Sequence, residues 1–251
     1  MFINMIENEF LAKLAGFWFF YRWHPDIAIR YLPFVDEINK LPQNSSVLEV
    51  GSAGLGITPY LKRVVTGADI KFEKPFSPLL KQIVADAASL PFKSSSFDTV
   101  LSVDMLEHLS ADVRIKAIGE MVRVAQVKVL IGVPSGLLSQ AQDIKLDHQY
   151  QKTKHKTFRF FQEQLRLGLP REEEIKNILI ESALKYNKKV ELKVFGNENL
   201  KLHDFLMKGW MSNNLLANIF YRKMLLFAIP ILRLFNQEPC YRKMFIVEIL
   251  S

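Results

Sequence analysis

Cysteine is nearly missing from this chain: Cys240 is alone among 251 residues. One thiol closes no intramolecular disulfide and builds no metal–thiolate cluster, so a reducing, cytoplasmic setting is the expectation. Long apolar runs are missing too. The richest apolar region, Phe205 to Phe235, is cut by Lys208, Arg222, Lys223, Pro230 and Arg233. Its longest uncharged stretch after Tyr221, Met224 to Leu232, has nine residues, against about 20 for a helix that spans a bilayer. We therefore expect no transmembrane helix there, but a buried hairpin, a dimer surface or a basic patch that contacts lipid. Ahead of the first apolar run stand Glu7 and Glu9, with no basic lead-in and no small-residue cleavage site. That is not the pattern of a secretory signal. Internal repeats, low-complexity tracts and linkers are also lacking, which points to one domain over 1–251.

Positive charge is unevenly spread. Residues 1–140 hold 14 Lys/Arg and 14 Asp/Glu, whereas residues 141–251 hold 19 and 12, so the whole net charge of +7 lies in the second half. A basic second half suits an acidic or phosphorylated acceptor, or an anionic membrane surface, as well as simple solubility. We expect no nucleic-acid partner.

The stretch Val47-Leu48-Glu49-Val50-Gly51-Ser52-Ala53-Gly54-Leu55-Gly56 is the most telling. An apolar run ends beside an acid, turns through glycines that permit a sharp bend and close approach, and opens into helix-compatible sequence. The dinucleotide fingerprint is absent, because G-x-G-x-x-G is required and G-x-x-G-x-G is present. Glu49 would also repel a pyrophosphate, yet it suits a ligand with a cationic tail. Further strands follow at Val64–Ile70, which carries Asp69, at Ile83 onward, ending at Asp86, and within Ser94–Leu109, which reads as a turn, a fourth strand and a helix start. Acids thus recur at successive strand tips, where parallel sheets bind ligands.

Taken together, Leu48 to Ser52, the Asp86 to Phe92 segment with its Leu-Pro-Phe, Ser96-Phe97-Asp98, Leu106-Glu107-His108-Leu109 and Glu120 to Val124 resemble the class I S-adenosylmethionine-dependent methyltransferases, in the branch known as methyltransferase type 11. The resemblance covers roughly residues 45 to 135. It implies a Rossmann-like, doubly wound α/β fold with a seven-stranded sheet whose last strand is antiparallel. It also implies a helical cap over 1–40, a cofactor half over 41–135, and a substrate-facing half over 136–251 with a helical insertion at 205–235. The cofactor implied is S-adenosylmethionine. Glu49 and Gly51 would meet its methionine end, with Ser52 and Gly54 of the same turn counted as contacts. Asp69 would accept from both ribose hydroxyls, with Ile70 beside it. Asp86 would accept from the adenine amine, and Ala87 would touch the ring edge. Where the family often has glycine, this chain has Ala53. Asp98, at a strand entrance, reads as a turn or capping acid.

For catalysis we single out His108, as a base at the open edge of the site, and Asp104, which also counts as a cofactor contact. Asp104-x-x-Glu107-His108 resembles a cation-binding pattern of some quinone-precursor O-methyltransferases, but Asp stands where Glu is expected, and we assign no metal. The reaction implied is methyl transfer to a small-molecule, glycan or lipid-linked acceptor, with oxygen favoured as the accepting atom. The alternative is a catalytically silent protein of the same fold that binds or assembles at a membrane surface. Later elements read as a helix from about 110 to 125, a fifth strand at Val127–Val133, and an irregular polar stretch over 137–170. A helix after Pro170 and strands at Lys189–Phe195 and Tyr241–Leu250 complete the expectation.

Overall fold

Period-two burial decides how the sheet is covered. The computed structural model describes residues 23–250, so the part of the expected 1–40 helical cap that precedes Trp23 lies outside the described residues. The elements are α1 (Pro25–Ile38), β1 (Val47–Val50), α2 (Thr58–Leu61), β2 (Val65–Asp69), β3 (Leu80–Val84), β4 (Phe97–Val103), α3 (Ala111–Val124), β5 (Ala125–Pro134), α4 (Leu137–Lys154), α5 (Arg159–Leu167), α6 (Glu172–Lys185), β6 (Lys189–Asn199), α7 (Leu200–Met211), α8 (Leu215–Arg222), α9 (Ile229–Leu232) and β7 (Cys240–Leu250). Single 3₁₀ turns sit at Leu106–His108 and Met224–Ala228. The sheet has the order β3-β2-β1-β4-β5-β7-β6. β1 to β5 run parallel, and β7 is antiparallel to both of its neighbours. The expected seven-stranded, doubly wound architecture is therefore present.

On one face Leu48 and Val50 of β1 and Val100 of β4 pack with α3 and α6, through Ile118, Met121, Ile175 and Leu179. On the other, Val47, Leu101 and Leu130 meet α1 through Tyr31, Phe34 and Ile38. Because side chains alternate along a strand, Glu49 must lie with Val47 under α1, and it is fully buried. Gly132 allows this layer to close: a Cβ there would stand 3.1 Å from the Phe34 ring.

Two expectations need correction. The third strand ends at Val84, so Asp86 stands beyond it, in a tight turn bridged to Ser89. The 137–170 stretch is mostly helical, as α4 and α5. Its polar residues were read as loop, yet Leu146, Tyr150 and Phe161 bury against Met211. Asp98 does tie strand entrances together, accepting from the Ser46 amide at 2.6 Å and its hydroxyl at 2.8 Å. Helix α6 starts after Pro170 with Glu172, Glu173 and Glu174 in its first turn, where acids suit the positive end.

Candidate active site

Three neighbouring strand tips and the turn after β1 define the first part of the site. Ala53 takes a left-handed φ of +46°, so the chain adopts at alanine the conformation glycine would adopt more easily. The Ala53 amide donates to Asp69 Oδ2 at 2.8 Å, which fastens the turn to the tip of β2. Gly56 has a φ of +51°, and a Cβ there would lie 2.2 Å from Glu49 Oε2. Glu49 itself is occupied by the chain: Oε1 accepts from the Tyr31 hydroxyl at 2.8 Å and Oε2 from the Ile57 amide at 2.7 Å. Its carboxylate thus braces the turn from beneath instead of standing free at the strand tip. Gly54 is likewise tied to the chain, since a Cβ would strike the Glu73 carbonyl at 2.1 Å. Gly51 abuts Met105, and the Ser52 hydroxyl lies over Gly67.

The outer side is open. Asp69 is half-buried, its second oxygen accepting from the Lys71 amide at 3.2 Å. Ile70 beside it is 75% exposed, which is unusual for isoleucine at a strand tip. Asp86 is exposed, bonded only to the Ala88 amide at 2.8 Å, with Ala87 half-buried behind it. Two carboxylates with spare lone pairs therefore flank an exposed apolar side chain.

The second part is a buried ionic cluster at the same sheet edge, between β4, β6 and β7. Arg242, opposite Pro134 at the start of β7, donates to both oxygens of Asp104 at 2.9 Å and also to Glu198. Arg30 of α1 reaches Asp104 as well, and Asp26 lies 3.6 Å from Arg242. Asp104 (φ +49°) and Glu198 (φ +58°) are both in the left-handed region, a strain that side chains tolerate where surroundings over-determine the backbone. Burial alone would raise the Asp104 pKa, but the Arg242 and Arg30 guanidiniums win and hold it below the usual range. An aspartate so neutralised is a weak base and has little to offer a cofactor. Several buried polar atoms here find no hydrogen-bond partner among the described residues: both His24 ring nitrogens, Asp26 Oδ1, Glu198 Oε1 and both Glu107 oxygens. Unpaired buried groups are costly, and their convergence marks a polar ligand or water site.

Residues 48–130 match a family model of a methyltransferase domain. This segment thus resembles a methyltransferase domain, and it sits on a Rossmann-like sheet. The fold extends well beyond the matched segment. An Anabaena variabilis protein assigned as a methyltransferase of an antibiotic biosynthesis pathway is 16% identical, with a TM-score of 0.50 over 86% of this chain and 98% of that one. A chain of the Haloferax volcanii complex between a methyltransferase activator and its partner is 12% identical, with a TM-score of 0.52 over 88% of both chains. The Haemonchus contortus phosphoethanolamine N-methyltransferase 2, solved with phosphomonomethylethanolamine and S-adenosylhomocysteine, is 16% identical with a TM-score of 0.52, over 99% of this chain and 59% of that one. No curated protein sequence matches significantly.

Within the matched segment His108 sits in the turn after β4, mostly buried, with its ring edge on Phe160 of α5. Burial lowers its pKa despite the Glu163 carboxylate 3.2 Å from Nδ1, so the imidazole is neutral at physiological pH. Glu107 is wholly buried; burial and then Asp104 push its carboxyl well above the usual range. Glu107 Oε1 is 3.8 Å from His108 Nε2. Among the described residues no group of three His, Cys, Asp or Glu side chains is arranged to hold a metal: Asp104 turns to its arginines. Arg30, Glu163, Glu198 and Arg242 carry no local signal in the sequence, since each reaches the site from a distant element.

The buried acids make stability depend on pH. Burial pushes the carboxyls of Glu49 and Asp143 up to about 7 and that of Glu198 up to about 8. An acid whose folded pKa is raised contributes stability that is complete below its unfolded pKa and lost as pH rises through the folded one. Burial lowers His203 to about 3, so its cost falls only below its unfolded pKa. His24 and His108 are lowered too, so from about pH 7 to 8.5, above the unfolded histidine pKa, the acids dominate, and the thermal midpoint is expected to drop by several degrees, the equivalent of about 2 kcal/mol. Glu198→Gln is expected to flatten that drop; a wild-type midpoint level or rising across the window would contradict it.

Proposed function

We propose that this protein transfers a methyl group from S-adenosylmethionine to a small-molecule, glycan or lipid-linked acceptor, with oxygen as the accepting atom. One observation carries the reading: the fastened turn at 51–56, the half-buried Asp69 with exposed Ile70, and the exposed Asp86 in the turn beyond β3 follow three adjacent strands of the sheet. The donor set fits the cofactor at its adenosine end. Asp69 would accept from the ribose hydroxyls while still holding Ala53, Ile70 would cover the apolar base, and Asp86 with Ala87 would meet its edge. At the methionine end Gly51 and Ser52 would meet the ligand through the backbone of the turn, the Ser52 hydroxyl being turned inward over Gly67, with Glu49 setting the turn's shape from beneath.

The bound sulfonium supplies an electrophilic methyl group; the protein's part is placement, dryness and proton removal. His108, with the Glu163 carboxylate 3.2 Å from Nδ1 but not hydrogen-bonded to it, would take the acceptor hydroxyl's proton on Nε2. The Arg30–Asp104–Arg242 cluster would fix the floor of the acceptor pocket, with Asp104 positioning its arginines. Helix α5 would exclude water from His108 through Phe160.

Titration with S-adenosylhomocysteine tests the reading. At 100 times the dissociation constant, binding adds about 2.7 kcal/mol of stability, and at about 2 to 4 °C per kcal/mol the midpoint should rise by about 5 to 10 °C. No shift, together with no methyl-mass gain in any extract component incubated with the enzyme and S-adenosylmethionine, would sink it.

A further inference from the structure

The insertion between β6 and β7 has two apolar sides, and only one is used. Leu225 and Leu232 bury against Ile29 of α1, together with Leu202 and Leu206, while Leu226 and Ile229 join the core under α1. These contacts anchor the insertion beside Arg30 and the ionic cluster. Its other side is bare. Helix α8 has no buried residue at all, and Leu215, Leu216, Ile219 and Phe220 are 46 to 76% exposed. Met224, Ile231, Leu234 and Phe235 continue the exposed surface. Monomeric soluble proteins seldom leave a contiguous apolar patch of this kind open to water.

Charge indicates what covers it. From Phe205 to Gln237 the sequence has Lys208, Arg222, Lys223 and Arg233 and no acid. Lys208 leans on Asp204 and Arg233 on Asp36. Arg222 and Lys223 are instead set beside one another, and the Lys223 pKa is lowered by burial and then by the Arg222 charge. Among the described residues, the stretch 205–237 offers these two adjacent cations no acid of its own, so anions from outside suit them. A symmetric contact with a second copy would bring cations to cations. A lipid surface with anionic headgroups meets both needs.

The broken geometry of the insertion suits lying along such a surface and not crossing it. Leu215–Leu232 is an 18-residue stretch with mean hydropathy 1.6 and 11% of it buried. As one helix it would reach about 27 Å, short of the roughly 30 Å hydrocarbon core. It is not one helix: Lys223, with φ −125°, separates α8 from the following 3₁₀ turn. Short segments with basic residues at their joints suit the headgroup boundary, where long cationic side chains reach phosphate while apolar neighbours sink deeper.

We propose that residues 205–235 are a docking foot that seats this protein on an anionic lipid surface, with Leu215, Leu216, Ile219 and Phe220 inserted and Arg222 and Lys223 on the headgroup phosphates. This goes beyond the methyltransferase reading and does not depend on it. It places the ionic cluster, one residue from the foot's anchor at Ile29, close to the lipid.

Co-sedimentation of the full chain with phosphatidylcholine vesicles, with and without phosphatidylglycerol, tests the foot. The protein is expected to pellet with the phosphatidylglycerol vesicles and to be released by high salt. Each lost cation is expected to weaken partitioning about fivefold, so Arg222→Glu with Lys223→Glu should cut it by more than tenfold. Leu216→Asp with Phe220→Asp should abolish it without changing the unfolding midpoint, since neither side chain is buried. Failure of the wild-type protein to pellet with anionic vesicles overturns the proposal. So does undiminished binding by both variants, which would assign the contact to another segment. So would light scattering that shows a dimer dissolved by Leu216→Asp with Phe220→Asp, which would make the face a contact between copies.

Discussion

Asp69→Ala is expected to weaken S-adenosylhomocysteine binding by 100-fold or more, an equivalent of about 2.7 kcal/mol. Two effects add. The carboxylate would lose its bonds to the ribose hydroxyls, and hydrogen bonds to a charged group contribute about 1.5 to 3 kcal/mol each. The Ala53 amide would also lose its acceptor, freeing a turn that holds alanine at φ +46°. Asp69→Asn keeps one carbonyl acceptor and should fall between the two. Asp69 is only half-buried, so the unliganded midpoint should move little, and calorimetric titration separates binding from folding. Affinity within threefold of wild type for Asp69→Ala would remove the β2 tip from the cofactor site.

Much of this half of the site was legible because it is local. Glu49, the glycine turn and Asp69 lie within some twenty residues, and their spacing reports strand, turn and strand. What Glu49 does was not legible. Its side faces α1 by strand alternation, but only the folded packing brings Tyr31 and the Ile57 amide onto its two oxygens. The third strand was misplaced for a related reason. β3 is an edge strand with Lys81 and Gln82 exposed, so its apolar signal starts late and runs on into the Asp86 turn. Polar residues in α4 concealed a helix, because Asp143 and Asp147 are buried by tertiary partners, Tyr241 among them. The buried ionic cluster was the least legible. Residues 30, 104, 198 and 242 come from four elements, and no spacing links them.

That distant cluster carries the second large effect. Arg242→Met is expected to lower the unfolding midpoint by about 10 °C or more. The Arg242 side chain is 3% exposed and satisfies Asp104 and Glu198, with Asp26 nearby. Removing one partner of a buried pair costs about 3 to 5 kcal/mol, because the remaining charge stays in a low-dielectric site, and at about 2 to 4 °C per kcal/mol that gives the expected shift. Arg30 would still hold Asp104, so the loss should concentrate on Glu198, whose carboxyl burial has already pushed up to about 8. Two further variants make the cause specific. Glu198→Gln in the Arg242→Met background should recover part of the midpoint, since a buried carboxyl at 198 is then no longer there to ionise. Arg242→Lys should recover less than the charge alone suggests, because one ammonium cannot reproduce guanidinium bonds to two separate carboxylates. If Arg242→Met unfolds within about 3 °C of the wild type, the cluster contributes little to holding this sheet edge together, and its role in shaping the acceptor pocket fails with it.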